Sequence, residues 1–392
     1  MTVAIVNGRR PRGRFDQSVI TSLTEISSGT NAPFSSAEQL LVLNLHGSGN
    51  TVANSLTQSR RLTAQLSAAA SYLTDTTLDI HEQRAGTFDG LVRMNVWVQD
   101  RQPSNGANIR ESYHMGWTDS PTSELRLWTE RRLDAVMDRY DLDSRIHPTK
   151  RILTGGSMGG WGTMTYGIRR AHRFAALYPD RCRWRYCETS GRVRIPSWTT
   201  AIVPSYDVGS APNLVAEDGG YSAAVHMDHI AWVSDPDHVV PWIGWACGRL
   251  DGYMPFQDHI DAVAAMRAAG RGFAFAWNNG DHGNGPLSSG NDPFLITDSY
   301  GYNEWSIGQG YPVFSEHSLD DDPEVDLEGG INIGLGFRNV SESAGAWSCE
   351  VRSIRSACTV KVAPYSTTYV GSKTPKDVTI TAANTWTAVS FP

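Results

Sequence analysis

The sequence predicts an α/β protein, a mostly parallel sheet with helices on both faces, followed by a small antiparallel β-sandwich. Three observations lead there. Between residues 40 and 285, apolar strand-like runs alternate with segments of helical spacing, the pattern of a parallel sheet with helical crossovers. One strand-to-helix junction, "RILTGGSMGGW" (151–161), sets a single serine among four glycines. Beyond residue 330 the chain changes to short β-patterned runs, "INIGLGFRN", "AWSCEVRS", "CTVKVAP", "DVTITA" and "WTAVSF".

Taken in order, "LLVLNLHG" (40–47) is a nearly continuous apolar run ending in glycine, as a buried parallel strand should be. Residues 51–73 have helical spacing and high helix propensity, and "LVRMNVWVQD" (91–100) reads as a strand. Residues 123–140 form an amphipathic helix opened by Ser123. "RILTGG" (151–156) is a strand, and a helix continues from Met158 to about Arg170. "RWRYCETS" (183–190), "WIGWACG" (242–248) and "GFAFAWN" (272–278) are further strands. A helix over 255–270 lies between the last two and stops at Gly270. Residues 191–240, rich in Pro, Ser, Asp and Gly, read as a cap-like insertion over the sheet's carboxyl edge. The expected organisation is an N-terminal extension (1–37), an α/β catalytic domain (38–300), a linker (301–329) and a β-sandwich (330–392). No repeat of fixed period is visible.

Composition narrows the function. A net charge of -7 with no basic tail or stripe argues against nucleic acid or an anionic membrane surface as partner. No run of eighteen apolar residues offers a membrane-spanning helix. The N-terminus, "MTVAIVNGRRPRGRF", places its apolar patch before its arginines, the reverse of a secretory signal. The compartment stays open, a secreted mature form included. Five cysteines are too few for a disulfide scaffold. Cys349 and Cys358 could still pair across a hairpin, Cys182 and Cys187 are the other close pair, and Cys247 reads as buried and free. Core and loop packing accounts for most of the thirteen tryptophans. The sharper reading is a flat aromatic surface for sugar rings, with Trp117, Trp198 and Trp242 as its candidates.

Gly155-Gly156-Ser157-Met158-Gly159 fits G-x-S-x-G in the required strand, turn and helix context. A nucleophile on such a turn has a strained backbone, and flanking side chains would collide with strand and helix. Glycines remove them and leave the hydroxyl standing clear. Ser157 then needs a base, and the base an orienting acid, each on a loop after a later strand. "RLDGYMP" places Asp251 after one strand and "NGDHGNG" places His282 after the next. Alone, Asp251 reads as a turn former and His282 as a loop histidine; their order and positions select the triad. Asp258, inside a helix and expected to face solvent, is the second choice of acid. Asp281 adjoins His282 too closely in sequence to reach the ring's far nitrogen. For the oxyanion the donors are the Met158 N–H and, from "LHGSGNT" (45–51), the Ser48 or Gly47 N–H, with His46 shaping the loop.

Metal and cofactor signals are weak. "HMDH" (226–229), with Asp235, Asp237 and His238 nearby, is a loose pattern that a polar loop explains. "DDDPEVD" (320–326) lacks the glycine-punctuated spacing of a calcium loop and reads as a solvated linker. No metal and no cofactor is expected.

Together "LNLHGSG", "ILTGGSMGGWGTM", "FAALYPDR", "GRLDGYMP" and "GDHG" resemble the α/β-hydrolase superfamily over roughly residues 38–285. They are similar to its esterase branch, with polyhydroxybutyrate-depolymerase-like, feruloyl-esterase-like and acetyl-xylan-esterase-like members. The prolyl-oligopeptidase-type catalytic domain shares much of the pattern. The resemblance implies the α/β-hydrolase fold, with Ser157 as nucleophile, Asp251 as acid and His282 as base. The long stretch before the strand at 93, the cap and the β-tail depart from the minimal pattern. The expectation is a serine esterase working through an acyl-enzyme. The tryptophans and the β-tail favour acetyl or feruloyl esters of a polysaccharide. A prolyl-oligopeptidase-type peptidase and a non-enzymatic carbohydrate-binding protein are the alternatives.

Overall fold

The computed structural model describes residues 20–27, 39–45, 60–66, 77–88, 91–98, 128–185, 228–286 and 306–392. Its main sheet is built from β1 (Ile20–Ser27), β2 (Gln39–Leu45), β3 (Arg60–Leu66), β4 (Thr77–Phe88), β5 (Leu91–Val98), β6 (Ile146–Gly156), β7 (Ala176–Asp180), β8 (Trp242–Gly248) and β9 (Phe273–Asn278). After β10 (Tyr311–Ser315), which belongs to another sheet, β11 (Gly329–Ile331) completes it. The order is β1-β3-β4-β5-β2-β6-β7-β8-β9-β11. The six strands from β5 to β9 in this order run parallel, and the flanks are antiparallel. Because β2 lies between β5 and β6, the loops leaving β2 and β6 emerge side by side at the carboxyl edge. This is the α/β-hydrolase fold.

Two strands differ from the sequence expectation. Arg60–Leu66 falls in the stretch read as helix (51–73), yet it pairs with β1 and β4. "RRLTAQL" also alternates with period two, and sheet pairing overrides its helix propensity. The strand between β6 and β8 is Ala176–Asp180; of the expected strand over 183–190, only residues 183–185 are among the described residues, and they add no strand to the sheet. Pro179 hides β7, because proline cannot donate to a ladder and argues against a central strand.

The two sheet faces are made by strict alternation. Leu153, Leu177, Ile243, Trp245, Phe273, Phe275 and Trp277 share one core with the helices. These are α1 (Trp128–Asp141), α2 (Met158–Gly162, continued by a π-helical turn over Thr163–Gly167), α3 (His229–Ser234) and α4 (Phe256–Ala268). α4 ends as the sequence expects, with Gly270 at φ 61°. The other face presents Ile152, Ala176, Tyr178, Trp242, Ala246, Ala274 and Ala276, mostly small. Among the described residues this face is covered by the β-sandwich rather than by helices.

The sandwich has two sheets, β10-β14-β15 and β12-β13-β16. Its remaining strands are β12 (Leu335–Glu342), β13 (Trp347–Ser353), β14 (Cys358–Tyr365), β15 (Lys376–Ile380) and β16 (Thr387–Phe391). β13 and β14 are consecutive but lie in different sheets, so no hairpin joins Cys349 to Cys358. Both are buried free thiols, as are Cys182 and Cys247; Cys187 lies outside the described residues. The stretch read as a linker (301–329) holds one strand, and a second begins at its last residue. Tyr311–Ser315 belongs to the sandwich, and Gly329–Ile331 returns to the main sheet beside β9. Polar bonds join the layers: the Tyr365 hydroxyl accepts from Val240 N (3.2 Å) and Arg271 Nη1 (2.8 Å), and the Tyr311 hydroxyl donates to Val240 O (2.9 Å).

His259 of α4 is a buried titratable group in this core. Its ring stacks on Phe275 at 5.7 Å and 6°, and neither nitrogen has a hydrogen-bond partner among the described residues. Burial pushes its pKa down to about 3, against the opposing pull of Asp251. Unfolded, it titrates near 6.5, so its contribution to stability is complete above that pH and is lost as pH falls toward 3. From pH 6.5 to 5 this loss is about 2 kcal/mol. His259→Phe, which keeps the stack, should lose correspondingly less stability over that interval in urea melts.

Candidate active site

The site begins at the end of β6. Ser157 has φ 57° and ψ -120°, an unusual backbone for a residue with a side chain. Its N–H donates to Asp180 O (3.0 Å), and its carbonyl accepts the first helical bond of α2 from Trp161 N (3.0 Å). Two glycines make this packing possible. A Cβ on Gly155 would collide with Gly159 O and with the last carbonyl of β2, Leu45 O; one on Gly160 would collide with Asp180 O. Strand, helix and the neighbouring strand ends therefore approach backbone to backbone. Trp161, fully buried, lies beneath the turn and donates through Nε1 to Met254 Sδ (3.0 Å), linking it to the loop after β8.

Ser157 Oγ lies 2.7 Å from His282 Nε2, and His282 Nδ1 lies 2.7 Å from Asp251 Oδ2. Three loops, after β6, β8 and β9, thus bring the three sequence-selected residues into one hydrogen-bonded line. The Asp251 carboxylate is wholly buried while the His282 side chain is 25% exposed. Asp251 Oδ1 accepts from Tyr253 N (2.9 Å) and Met254 N (3.2 Å), so both carboxyl oxygens are engaged. The line matches the requirements of a nucleophile, a base holding one tautomer, and an acid that orients it. Tyr253, 45% exposed, meets the His282 ring edge-on at 5.0 Å.

The remaining candidates divide. Met158 opens α2, and because Trp161 donates the first helical bond, its own N–H is outside the helical ladder. His46, Gly47 and Ser48 lie outside the described residues, as do Trp117 and Trp198. Trp242 does not reach the site. It is 2% exposed, on the sandwich face of β8 with its ring 5.7 Å from Tyr178. Sheet alternation turns it inward, which withdraws it as a substrate contact. Asp258 does not face solvent: it is half-buried, 3.9 Å from Arg185 Nη1, and burial raises its pKa. Asp281 shapes the histidine loop, its Oδ1 accepting from Gly283 N (2.9 Å) and Asn284 N (3.1 Å).

Sequence reading missed Asp180 and Arg181. Asp180 ends the unrecognised β7 and Arg181 follows it, and the pair lies between the Ser157 turn and the histidine loop. Asp180 Oδ2 accepts from Arg181 Nε (2.8 Å), and Arg181 Nη1 donates to His282 O (2.8 Å). Burial pushes the Asp180 carboxyl up to about 6, against Arg181 and His282, which favour its charge. The signal was present in "FAALYPDR", a charged pair directly after an apolar run.

No group of three or more His, Cys, Asp or Glu side chains is placed to hold a metal ion among the described residues. Asp228 instead caps α3 through Ala231 N (2.9 Å), and the His238 ring stacks on Trp232 at 3.5 Å.

No family model and no curated protein sequence matches the chain. Solved structures similar to it include S-formylglutathione hydrolase from Agrobacterium tumefaciens, at 14% identity and TM-score 0.39, covering 63% of this chain and 78% of that one. A ferulic acid esterase is similar at 17% identity and TM-score 0.34, covering 63% and 79%. Dipeptidyl peptidase 4 of Porphyromonas gingivalis is similar at 12% identity and TM-score 0.41, covering 71% of this chain and 35% of that longer one.

The close approach at the turn is testable. Gly160→Ala should cost about 1–3 kcal/mol in urea melts, the range for overpacking a site that cannot give. Gly252→Ala, where nothing lies within 4 Å of the added methyl, should stay within about 0.5 kcal/mol of the parent.

Proposed function

We propose that this chain is a serine-dependent carboxylic-ester hydrolase that works through an acyl-enzyme. The observation that carries the reading is the pair of 2.7 Å bonds joining Ser157, His282 and Asp251 from three separate loops. Ser157 Oγ attacks the ester carbonyl carbon while His282 Nε2 takes its proton. Asp251, accepting from Nδ1–H, holds the productive tautomer and stabilises the imidazolium. The negative oxygen of the tetrahedral adduct is held by the Met158 N–H and by an N–H of the loop after β2, at Gly47 or Ser48. His282 then hands its proton to the departing alcohol. Water repeats the sequence on the acyl-enzyme, releasing the acid and restoring Ser157.

For the substrate we propose an acetyl or feruloyl ester carried on a polysaccharide. Trp117 and Trp198 remain its candidate aromatic contacts, and Tyr253, exposed beside His282, joins them. An aromatic face next to the base suits a sugar ring or an aryl acyl group.

The test compares p-nitrophenyl acetate, acetylated and feruloylated oligosaccharides, and a proline-containing peptide as substrates. Ser157→Ala should lower kcat by about 10⁵–10⁶-fold, and Asp251→Asn by about 10⁴-fold. Ester turnover that survives in Ser157→Ala would overturn the mechanism. Peptide cleavage without ester cleavage would overturn the substrate class, and sugar binding without turnover by the parent would favour a non-catalytic carbohydrate-binding role.

A further inference from the structure

The histidine loop poses a problem of position. It contains Gly280, Gly283 and Gly285, and glycine-rich backbone loses more freedom on ordering than any other. Its internal bonds, from Gly283 N to Asp281 Oδ1 (2.9 Å) and from Asn278 Nδ2 to Asn284 O (2.9 Å), set its shape but not its distance from Ser157. Leu250 N ties the loop to the exit of β8 through Gly280 O (3.0 Å), and a second set of contacts, meeting at Arg181, joins it to the Ser157 turn.

Arg181 has φ 50°, a left-handed backbone that a residue with a side chain adopts at a cost. Its N–H donates to Ala246 O of β8 (2.8 Å), fixing the turn. From there the guanidinium reaches two ways. Nε and Nη2 hold Asp180 Oδ2 at 2.8 and 2.7 Å, while Nη1 holds the His282 carbonyl at 2.8 Å. The stem forms a floor under the loop, since a Cβ on Gly285 would rest on Arg181 Cδ and Cγ at 3.4 and 3.5 Å. Asp180 is itself tied to the nucleophile, because its carbonyl accepts from Ser157 N (3.0 Å). A Cβ on Gly156 would stand 3.4 Å from Asp180 Oδ2 and 3.5 Å from Arg181 Nη2, so the turn lies directly over the pair.

We propose that Arg181, steadied by Asp180, is a positioning residue of the active site. It sets the distance of His282 from Ser157 by gripping the histidine's own carbonyl. Only a rigid planar fork can hold a carboxylate on one side and a carbonyl on the other with three donors. Lysine has the charge but not the fork. The inference rests on the ester-hydrolase reading above, since it assigns Arg181 a task within that triad.

The test uses Arg181→Ala and Arg181→Lys in the full chain, with Ser157→Ala as the measure of the underlying reading. A reacting group displaced by about 1 Å costs on the order of 10²-fold in rate. Arg181→Ala should therefore lower kcat on p-nitrophenyl acetate by about that factor with KM nearly unchanged. Arg181→Lys should recover part of the loss, and so should low, non-denaturing guanidinium added to Arg181→Ala. A structural role alone would lower the Tm without this kcat–KM split and without rescue. Amide hydrogen exchange across residues 280–286 reads the same contact without any turnover, and exchange should quicken in both variants, more in Arg181→Ala. If Arg181→Ala does not fold, Arg181→Lys carries both measurements. Unchanged loop exchange overturns the proposal whatever the activity, as does kcat within twofold of the parent in a variant of a parent that turns over ester. A parent that hydrolyses no ester overturns the function reading instead, and the exchange result then still decides the role of Arg181.

Discussion

The backbone of Ser157 is held in a conformation that costs about 1–3 kcal/mol, and the surrounding chain must overdetermine it. That constraint organises the rest. The turn persists because β6, α2, β2 and β7 close on it from all sides, with glycines where any side chain would collide. The hydrogen bond from Ser157 N to Asp180 O pins it to the neighbouring strand, and Trp161 beneath it reaches the loop that carries Asp251. A side chain presented this way has little freedom of its own, so its geometry with His282 is decided by how accurately the other loops are brought to it.

Charge follows the same division between fixed and exposed. Asp251 is buried, with both oxygens occupied, and its partner histidine is partly open to solvent, where a substrate must arrive. Behind them a second carboxylate, Asp180, is buried against Arg181, and that pair faces the backbone of the histidine loop rather than its ring. Two acidic groups near one histidine thus have different tasks. One orients the imidazole, and the other anchors the cation that holds the loop.

Much of this was legible in the sequence, for local reasons. Ser157, Asp251 and His282 each follow a strand whose apolar run ends at a glycine or polar break, so chain order sufficed to select them. β8, β9, α4 and the tail strands carry strong periodicity with clear stops. What was not legible depends on distant neighbours. Arg60–Leu66 has helix-forming residues, and only its pairing with β1 and β4 makes it a strand. Pro179 conceals β7, and with β7 misplaced, Asp180 and Arg181 had no site to belong to. Trp242 looked available because nothing in its own segment tells that a sandwich from the far end of the chain covers that face. Cys349 and Cys358 looked like a hairpin pair because the chain's switch between two sheets leaves no local mark.

The route of the chain also bears on how the molecule comes to exist on a ribosome. After the last triad residue the polypeptide lays one strand into the sandwich, β10, then returns β11 to the open edge of β9, then goes back to finish the sandwich. The segment before β11 also closes on the loops around Asp251, with Arg249 Nη1 donating to Pro323 O (2.6 Å) and Asp326 O (2.8 Å), and Trp277 Nε1 to Asp326 O (3.0 Å). During synthesis Ser157, Asp251 and His282 are therefore all translated before β11, the outer partner of β9, and before the sandwich strands that cover the small-residue face among the described residues. A nascent chain paused at that stage presents an unpaired strand edge and an apolar face together, the combination that invites misassembly. β11 pairs that edge, and the strands of the sandwich cover that face.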